Sequence, residues 1–305
     1  MAAGDVLVIH PGALGDVLLS IPALRMLRAR HHDERLVLAA QSHLGRLLVE
    51  LGEVDEPRAF ESLGLEALFV EDGAPAQLPA ISGAARVVSW FGSRDSSFAR
   101  RLRALAPNAV IASSAGNGTR SVWEHLMETV GVNTEAGRGP VTVSSALGAE
   151  GREALREAGW DGHRRVLMVH AGAGGLDKRW PIEGFAGVVA ELVRRHDLAV
   201  VLHEGPADKD AVAALAERMD ALILKQPTLP RLAGALCHAT VWLGNDSGVT
   251  HLTAAIGRPT VALFGAERIA WRPWSTTARV VVVEAGRLRE DVSAITSTLD
   301  GLLSS

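Results

Sequence analysis

A single cysteine, Cys237, occurs among the 305 residues. One thiol cannot form an intramolecular disulfide, which fits a reducing compartment. Its setting, "LAGALCHATVWLG", makes it a small core residue and not a nucleophile. A basic surplus is also missing: 31 lysines and arginines stand against 35 acids, for a formal net charge of -4. General nucleic-acid binding is thereby excluded, and contact with polyanions has to come from local basic patches. The first residues lack the basic stretch and long apolar core of a signal peptide. No apolar run reaches the roughly 18 residues of a membrane span. The expected location is cytoplasmic. Internal repeats and low-complexity tracts are absent too.

What is present is apolar residue in quantity, 48% of the chain, enough for two cores. Short β-branched runs alternate with helical patterns throughout. Strands are expected at 6–9, 35–40, 85–90 and 108–113, then at 164–170, 198–203, 240–244 and 259–265. Helices are expected between them, including 97–106, 121–131 and a C-terminal amphipathic segment. Apolar strands alternating with helices predict parallel sheets covered on both faces. The Gly-, Ser- and Thr-rich stretch at 133–151 marks the domain boundary. The expectation is two doubly wound Rossmann-like α/β domains, 1–150 and 151–305. Ligands of such sheets bind outside the carboxyl ends of the strands, so a cleft between the domains is the expected site.

The clearest motif is "VWLGNDSGVTHLTAAIGRPTVALFG", residues 241–265. A strand ends, a polar turn follows, and a helix opens near Val249. Unpaired N–H groups at a helix start suit a phosphate, and Gly248 permits close approach. Ser247 can donate to a phosphate oxygen, and Asp246 can accept from a sugar hydroxyl. The plainer alternative is that Asp246 or Ser247 only caps the helix. His251, further along, either packs or touches phosphate. In "MVHAGAGGLDKRWPIEGFAGVV", residues 168–189, a strand runs into a small-residue loop containing Gly172 and then Lys178 and Arg179. Two cations there can neutralise a diphosphate, although an isolated pair is usually solvated surface charge. In "VVLHEGPADKD", Glu204 and Gly205 end a strand, and Glu204 can hydrogen-bond a base or ribose. The acids of "DKD" open a helix, where its dipole favours them, and imply no metal.

Two other site types are excluded. Position 245 is asparagine where a serine-hydrolase elbow needs glycine. "AGAGGLD" has Asp177 where a dinucleotide fingerprint needs its third glycine. One acid stands apart: Asp16, in "DVLVIHPGALGDVLLSIPALRML", sits at the mouth of the first strand–helix turn. There it is either a helix cap or a catalytic base.

"GALGDVLLSIPALRMLR", "AGAGGLDKRWPIEGFA", "HEGPADKD" and "NDSGVTHLTAAIGRPTVALFG", in this order and at these separations, resemble glycosyltransferase family 9, the heptosyltransferases of lipopolysaccharide assembly. The resemblance implies a GT-B fold, a C-terminal half holding an ADP-heptose donor, and an acceptor meeting the N-terminal half. It also implies an inverting, metal-independent transfer without a cofactor. Asp16 then matches the family's "GD" position and becomes the base, and Lys178 with the 247–249 turn stabilises the departing diphosphate. Arg179, Gly172, Glu204, Gly205, Asp246, Ser247, Gly248, Val249 and His251 become donor contacts.

Acceptor contacts fall to Gly15, Arg94 and Arg120. The run Arg94, Arg100, Arg101 and Arg103 suits an anionic glycan or glycolipid, or else a solvated helix face. Such an acceptor adds peripheral contact with the inner face of the membrane to the expectation; nucleic acid is not expected. Two departures stand out. His10 and Gly12 replace the arginine and serine common around that point, and "AERIAWRPW" follows "VALFG" where the family often has proline, a hydroxyl residue and aspartate. Trp271 or Trp274 there either rims the cleft or packs. A nucleotide-sugar epimerase of the same fold and a catalytically silent nucleotide-sugar binder are the alternatives.

Overall fold

The computed structural model describes residues 4–70, 77–116, 118–131 and 137–304. The chain forms two compact units, Met1–Gly137 and Arg138–Ser305. In the N-terminal unit, β1 (Val6–Ile9), β2 (Leu36–Ala40), β3 (Glu56–Ala59), β4 (Arg86–Ser89) and β5 (Val110–Ile111) form one sheet in the order β3-β2-β1-β4-β5. In the C-terminal unit, β6 (Arg165–His170), β7 (Leu198–Glu204), β8 (Leu222–Lys225), β9 (Ala239–Asn245), β10 (Thr260–Phe264) and β11 (Ala278–Val282) are ordered β11-β10-β9-β6-β7-β8. Every strand pair in both sheets is parallel.

Counted from its own first strand, each sheet runs outward in opposite directions from the centre, as in a doubly wound Rossmann fold. The order reverses between β1 and β4 in one unit and between β6 and β9 in the other. The loops after those strands are therefore where each fold leaves room for a ligand. Val6, Val8 and Ile9 of β1, and Val166, Leu167 and Met168 of β6, are fully buried, which is why these strands read as unbroken apolar runs. Leu7, Val37, Val87, Phe98 and Leu102 build the first core. Val169, Phe185, Val200, Leu243, Leu263 and Leu299 build the second. No described helix is long and apolar enough to cross a membrane.

The division falls between Gly137 and Arg138, inside the stretch 133–151, and the helix that follows belongs to the C-terminal unit for a packing reason. Ser144 caps the helix Ser145–Glu157 by accepting from the Leu147 N–H at 3.2 Å. That helix lies against the helix Leu229–Leu236 of the C-terminal unit. Gly151 and Gly234 make the contact: a Cβ on either would run into the backbone of the other helix, at Gly234–Ala235 and at the Leu147 carbonyl respectively. Backbone against backbone cannot relax as a side chain does. Gly234→Ala should therefore destabilise the C-terminal unit by about 3 kcal/mol, read as a lower denaturation midpoint, whereas Gly148→Ala, with open space around it, should not.

Candidate active site

At the end of β1 the chain turns through His10–Ala13 into the short helix Leu14–Leu19. Asp16 lies in its first turn, and its Oδ2 accepts from the Ala13 N–H at 3.0 Å. Capping is thus a real role of this carboxylate. It employs one oxygen only; among the described residues Oδ1 has no hydrogen-bond partner, and the residue is half-buried. Gly12 explains how the acid comes so close to the loop. A Cβ at Gly12 would stand 2.7 Å from both Asp16 Cβ and His10 Cε1. The serine expected there from the family pattern would need the loop to move.

His10 is only 1% exposed. Its Nδ1 accepts from the Gly12 N–H at 3.2 Å, and its ring meets Trp90, from the end of β4, edge to face at 5.6 Å. Burial lowers its pKa to about 4, with Asp16 opposing the shift. His10 is thus a neutral group at neutral pH. The sign of the pH effect follows. The unfolded chain takes up this proton near pH 6.5, whereas the folded unit refuses it until about pH 4. Stability is therefore lost as pH falls through that window, by up to about 3 kcal/mol. His10→Gln should flatten this part of the stability–pH curve, a change measurable by chemical denaturation at pH 7, 5.5 and 4.5.

In the C-terminal unit the loop after β6 is held by Asn245, the last residue of β9, which is fully buried. Its Nδ2 donates to the carbonyls of Ala171 at 2.9 Å and Gly172 at 3.3 Å, and its Oδ1 accepts from the Trp180 N–H at 3.1 Å. One side chain thus ties both ends of the segment that carries Lys178 and Arg179. Asp246 follows, 5% exposed. Its Oδ2 stands 3.1 Å from Lys178 Nζ and 2.8 Å from Arg268 Nε, and its Oδ1 3.8 Å from His251 Nε2. Burial alone would raise the carboxyl pKa, but His251, Arg268 and Lys178 outweigh it and hold the group well below the usual carboxylate range. Lys178, Asp246 and Arg268 line a cavity of about 270 Å³ with Trp180, Glu267 and Glu284.

Ser247 caps the helix Gly248–Ala255, accepting from the Thr250 N–H at 3.3 Å. Its own proton is committed. Thr250 Oγ1 gives its hydrogen to the Asn245 carbonyl at 2.7 Å and accepts from Trp242 Nε1 at 3.2 Å, so the 3.1 Å contact between the two hydroxyls uses the serine hydrogen. The donors left to an anion are the N–H groups of Gly248 and Val249, the first two of the helix, which have no intrahelical acceptor.

A second cluster surrounds Asp208, which the sequence assigns only to helix opening. Its carboxylate makes no cap bond to the helix Lys209–Ala216. It turns instead towards Gly172 and Gly205, where any Cβ would overlap it, and lies 3.6 Å from Arg179 Nη2 and 3.8 Å from His170 Nε2. Buried His170 and His203 touch through their Nδ1 atoms at 3.1 Å, and burial holds both below the ordinary histidine range. Glu204 is buried at the end of β7, and Gln226 Nε2 donates to its Oε1 at 3.4 Å. Gln226 is in the left-handed region, φ 41°, unlike any other non-glycine residue among those described.

The donor candidates thus fall into two neighbourhoods. Lys178, Asp246, Ser247, Gly248, Val249 and His251 gather at the Asp246 end, and Gly172, Arg179 and Gly205 gather around Asp208, with Glu204 just before Gly205 and held by Gln226. Of the acceptor candidates, Gly15 lies beside Asp16, Arg94 is exposed in the turn after β4, and Arg120 is paired with Glu128. Trp274 is buried, while Trp271 is partly exposed. Arg268, Asn245 and Asp208 escape the sequence reading, and "AERIAWRPW" as a departure is the one signal that pointed towards the first of them.

Two Rossmann-like units, each with polar groups gathered at its strand-order reversal, define a two-domain protein of GT-B-type architecture. Residues 121–296, more than half of the chain, match the glycosyltransferase family 9 (heptosyltransferase) profile, and the chain belongs to that family. It is 34% identical over 152 residues to lipopolysaccharide heptosyltransferase 3 of Escherichia coli, a match covering 44% of this chain and 43% of that protein. The chain therefore spans less than half the length of the curated relatives it matches. The E. coli ADP-heptose lipopolysaccharide heptosyltransferase II structure superposes with a TM-score of 0.73 at 19% identity, over 98% of both chains. E. coli heptosyltransferase WaaC with ADP gives 0.67 at 17% identity, over 98% of this chain and 99% of that one.

Proposed function

We propose that the protein is an inverting glycosyltransferase that moves a sugar from a nucleoside-diphosphate donor, ADP-heptose, to a hydroxyl of a lipopolysaccharide-core-like acceptor. The C-terminal unit takes the donor. Lys178 and the N–H groups of Gly248 and Val249 receive the diphosphate, Asp246 accepts from sugar hydroxyls, and Glu204 accepts from the ribose. In the N-terminal unit the free oxygen of Asp16 takes the proton of the acceptor hydroxyl as that oxygen attacks the anomeric carbon. The bond from that carbon to the diphosphate oxygen breaks, and the departing charge is met by Lys178 and the helix start. Because the positive charge comes from the protein, the scheme uses no metal ion. Gly15, Arg94 and Arg120 orient the anionic acceptor, which draws a cytoplasmic enzyme to the inner face of the membrane.

The observation that carries this assignment is the ion pair of buried Asp246 with partly exposed Lys178, on a loop clamped at a strand-order reversal. A half-buried ion pair is weak as a source of stability and well suited to meet a charged, polyhydroxylated ligand. The test is a thermal-shift screen of ADP-, GDP- and UDP-sugars, followed by mass spectrometry of a truncated lipopolysaccharide-core acceptor incubated with the best binder. Stabilisation by ADP-heptose and a mass gain of one heptose are expected. Stabilisation by a different nucleotide sugar alone overturns the donor assignment.

A further inference from the structure

Arg268 comes from the segment where the sequence leaves its family's pattern, yet it reaches the centre of the Asp246 cluster. Two cations share one carboxylate oxygen there, Lys178 Nζ at 3.1 Å and Arg268 Nε at 2.8 Å. Asp246 is almost fully buried, so a loss of its countercharge would be costly. With Lys178 as sole partner, the ammonium could not turn to a diphosphate without stripping that carboxylate. A second cation removes the conflict.

Arg268 spends only its Nε on Asp246. Among the described residues its terminal nitrogens make no hydrogen bond to the protein, and the residue lines the same cavity as Lys178. A guanidinium fixed along one edge and open at its fork matches two oxygens of a phosphate. Glu267, folded over Gly265, and Glu284 also line the cavity. They are acceptors for hydroxyl groups and would repel an anion, so the anion's place is the Lys178–Arg268 side.

We propose that Arg268 is a diphosphate-binding residue, which keeps Asp246 neutralised through Nε while Lys178 turns to the phosphates and which offers its terminal nitrogens to the same group. This role rests on the donor reading above, and the measurement separates the two. ADP, GDP and UDP, each against its monophosphate, are titrated calorimetrically into the native protein, Arg268→Ala, Arg268→Lys and the double variant Arg268→Ala/Asp246→Asn, with folding checked by circular dichroism. Arg268→Ala should weaken the diphosphate about tenfold or more and the monophosphate less than about twofold. Arg268→Lys, with charge but no fork, should fall between. The double variant should recover part of the loss, the share owed to Lys178 being held by an unneutralised carboxylate, while the share owed to the missing fork stays lost; a merely structural role for Arg268 would not be rescued this way. Diphosphate affinity within twofold of native in Arg268→Ala, or no recovery in the double variant, overturns the role of Arg268 and leaves the donor reading standing. Failure of the native protein to bind any of the three diphosphates overturns both.

Discussion

Asp16→Asn should lower turnover about a thousandfold while leaving nucleotide affinity nearly unchanged, since loss of a general base typically costs between two and four orders of magnitude. Asparagine is the informative replacement. Asp16 has two roles in one residue, with Oδ2 on the Ala13 N–H as a cap and Oδ1 without a hydrogen-bond partner among the described residues. An amide oxygen preserves the first role, because it too accepts from the Ala13 N–H, but it cannot take a proton. Asp16→Ala would remove both and confuse a stability loss with a chemical one. The readouts are the transfer rate under saturating donor, the ADP affinity and the denaturation midpoint. An asparagine variant that transfers at near-native rate reduces Asp16 to a cap.

The second large effect is expected at Asn245, which touches no substrate in the proposed scheme. Asn245→Ala strands two carbonyls and one N–H that have lost their partner in a fully buried place. Each such group costs about 1 kcal/mol or more, so the C-terminal unit should lose about 3 kcal/mol. The loop from Ala171 to Trp180 also loses its tether, and with it the placement of Lys178. ADP affinity should fall about tenfold, a change read by calorimetry well below the melting temperature. Asn245→Asp should be worse, because it turns a donor towards Ala171 and Gly172 into a charged acceptor facing two carbonyl oxygens. If stability and ADP affinity both survive Asn245→Ala, the loop is held by something other than this clamp.

Much of the fold is readable from the amino acids because its central strands are buried on both faces. β1, β2, β4, β6, β7, β9 and β10 coincide with the apolar runs within a residue or two. The strands that escape notice are β3, β8 and β11, and each lies at the edge of its sheet. An edge strand has one neighbour and more solvent, so it needs no continuous apolar run. β3, "EPRA", even carries a proline, which an edge tolerates. β5, the other edge, shrinks from the expected six residues to Val110–Ile111 for the same reason.

The candidate site divides along a similar line. Asp16 and Lys178 stand out because small residues precede them at a strand end. The turn at 245–248 stands out because a helix start follows a strand. Asn245, Asp208 and Arg268 do not, because each acts on partners that only the strand order brings near. Asn245 reaches the loop after β6 because β6 and β9 are neighbours across the reversal. Asp208 fills the space that Gly172 and Gly205 leave open from two different loops. The glycines were visible as a pattern, but the side chain they admit was not. His10 shows the reverse case: the departure from the family is visible in the sequence, whereas its consequence, a buried neutral ring beside the acid, arises only from the packing of the fold.

The most direct measurement is proton NMR of ADP-heptose with the protein, in the presence and absence of a truncated lipopolysaccharide-core acceptor. With acceptor, ADP should accumulate in step with one new glycosidic anomeric signal of configuration opposite to the donor's, and without acceptor the donor spectrum should stay unchanged. Retained configuration in the product would contradict inversion, and an altered sugar formed from donor alone would contradict transfer and point to an epimerase.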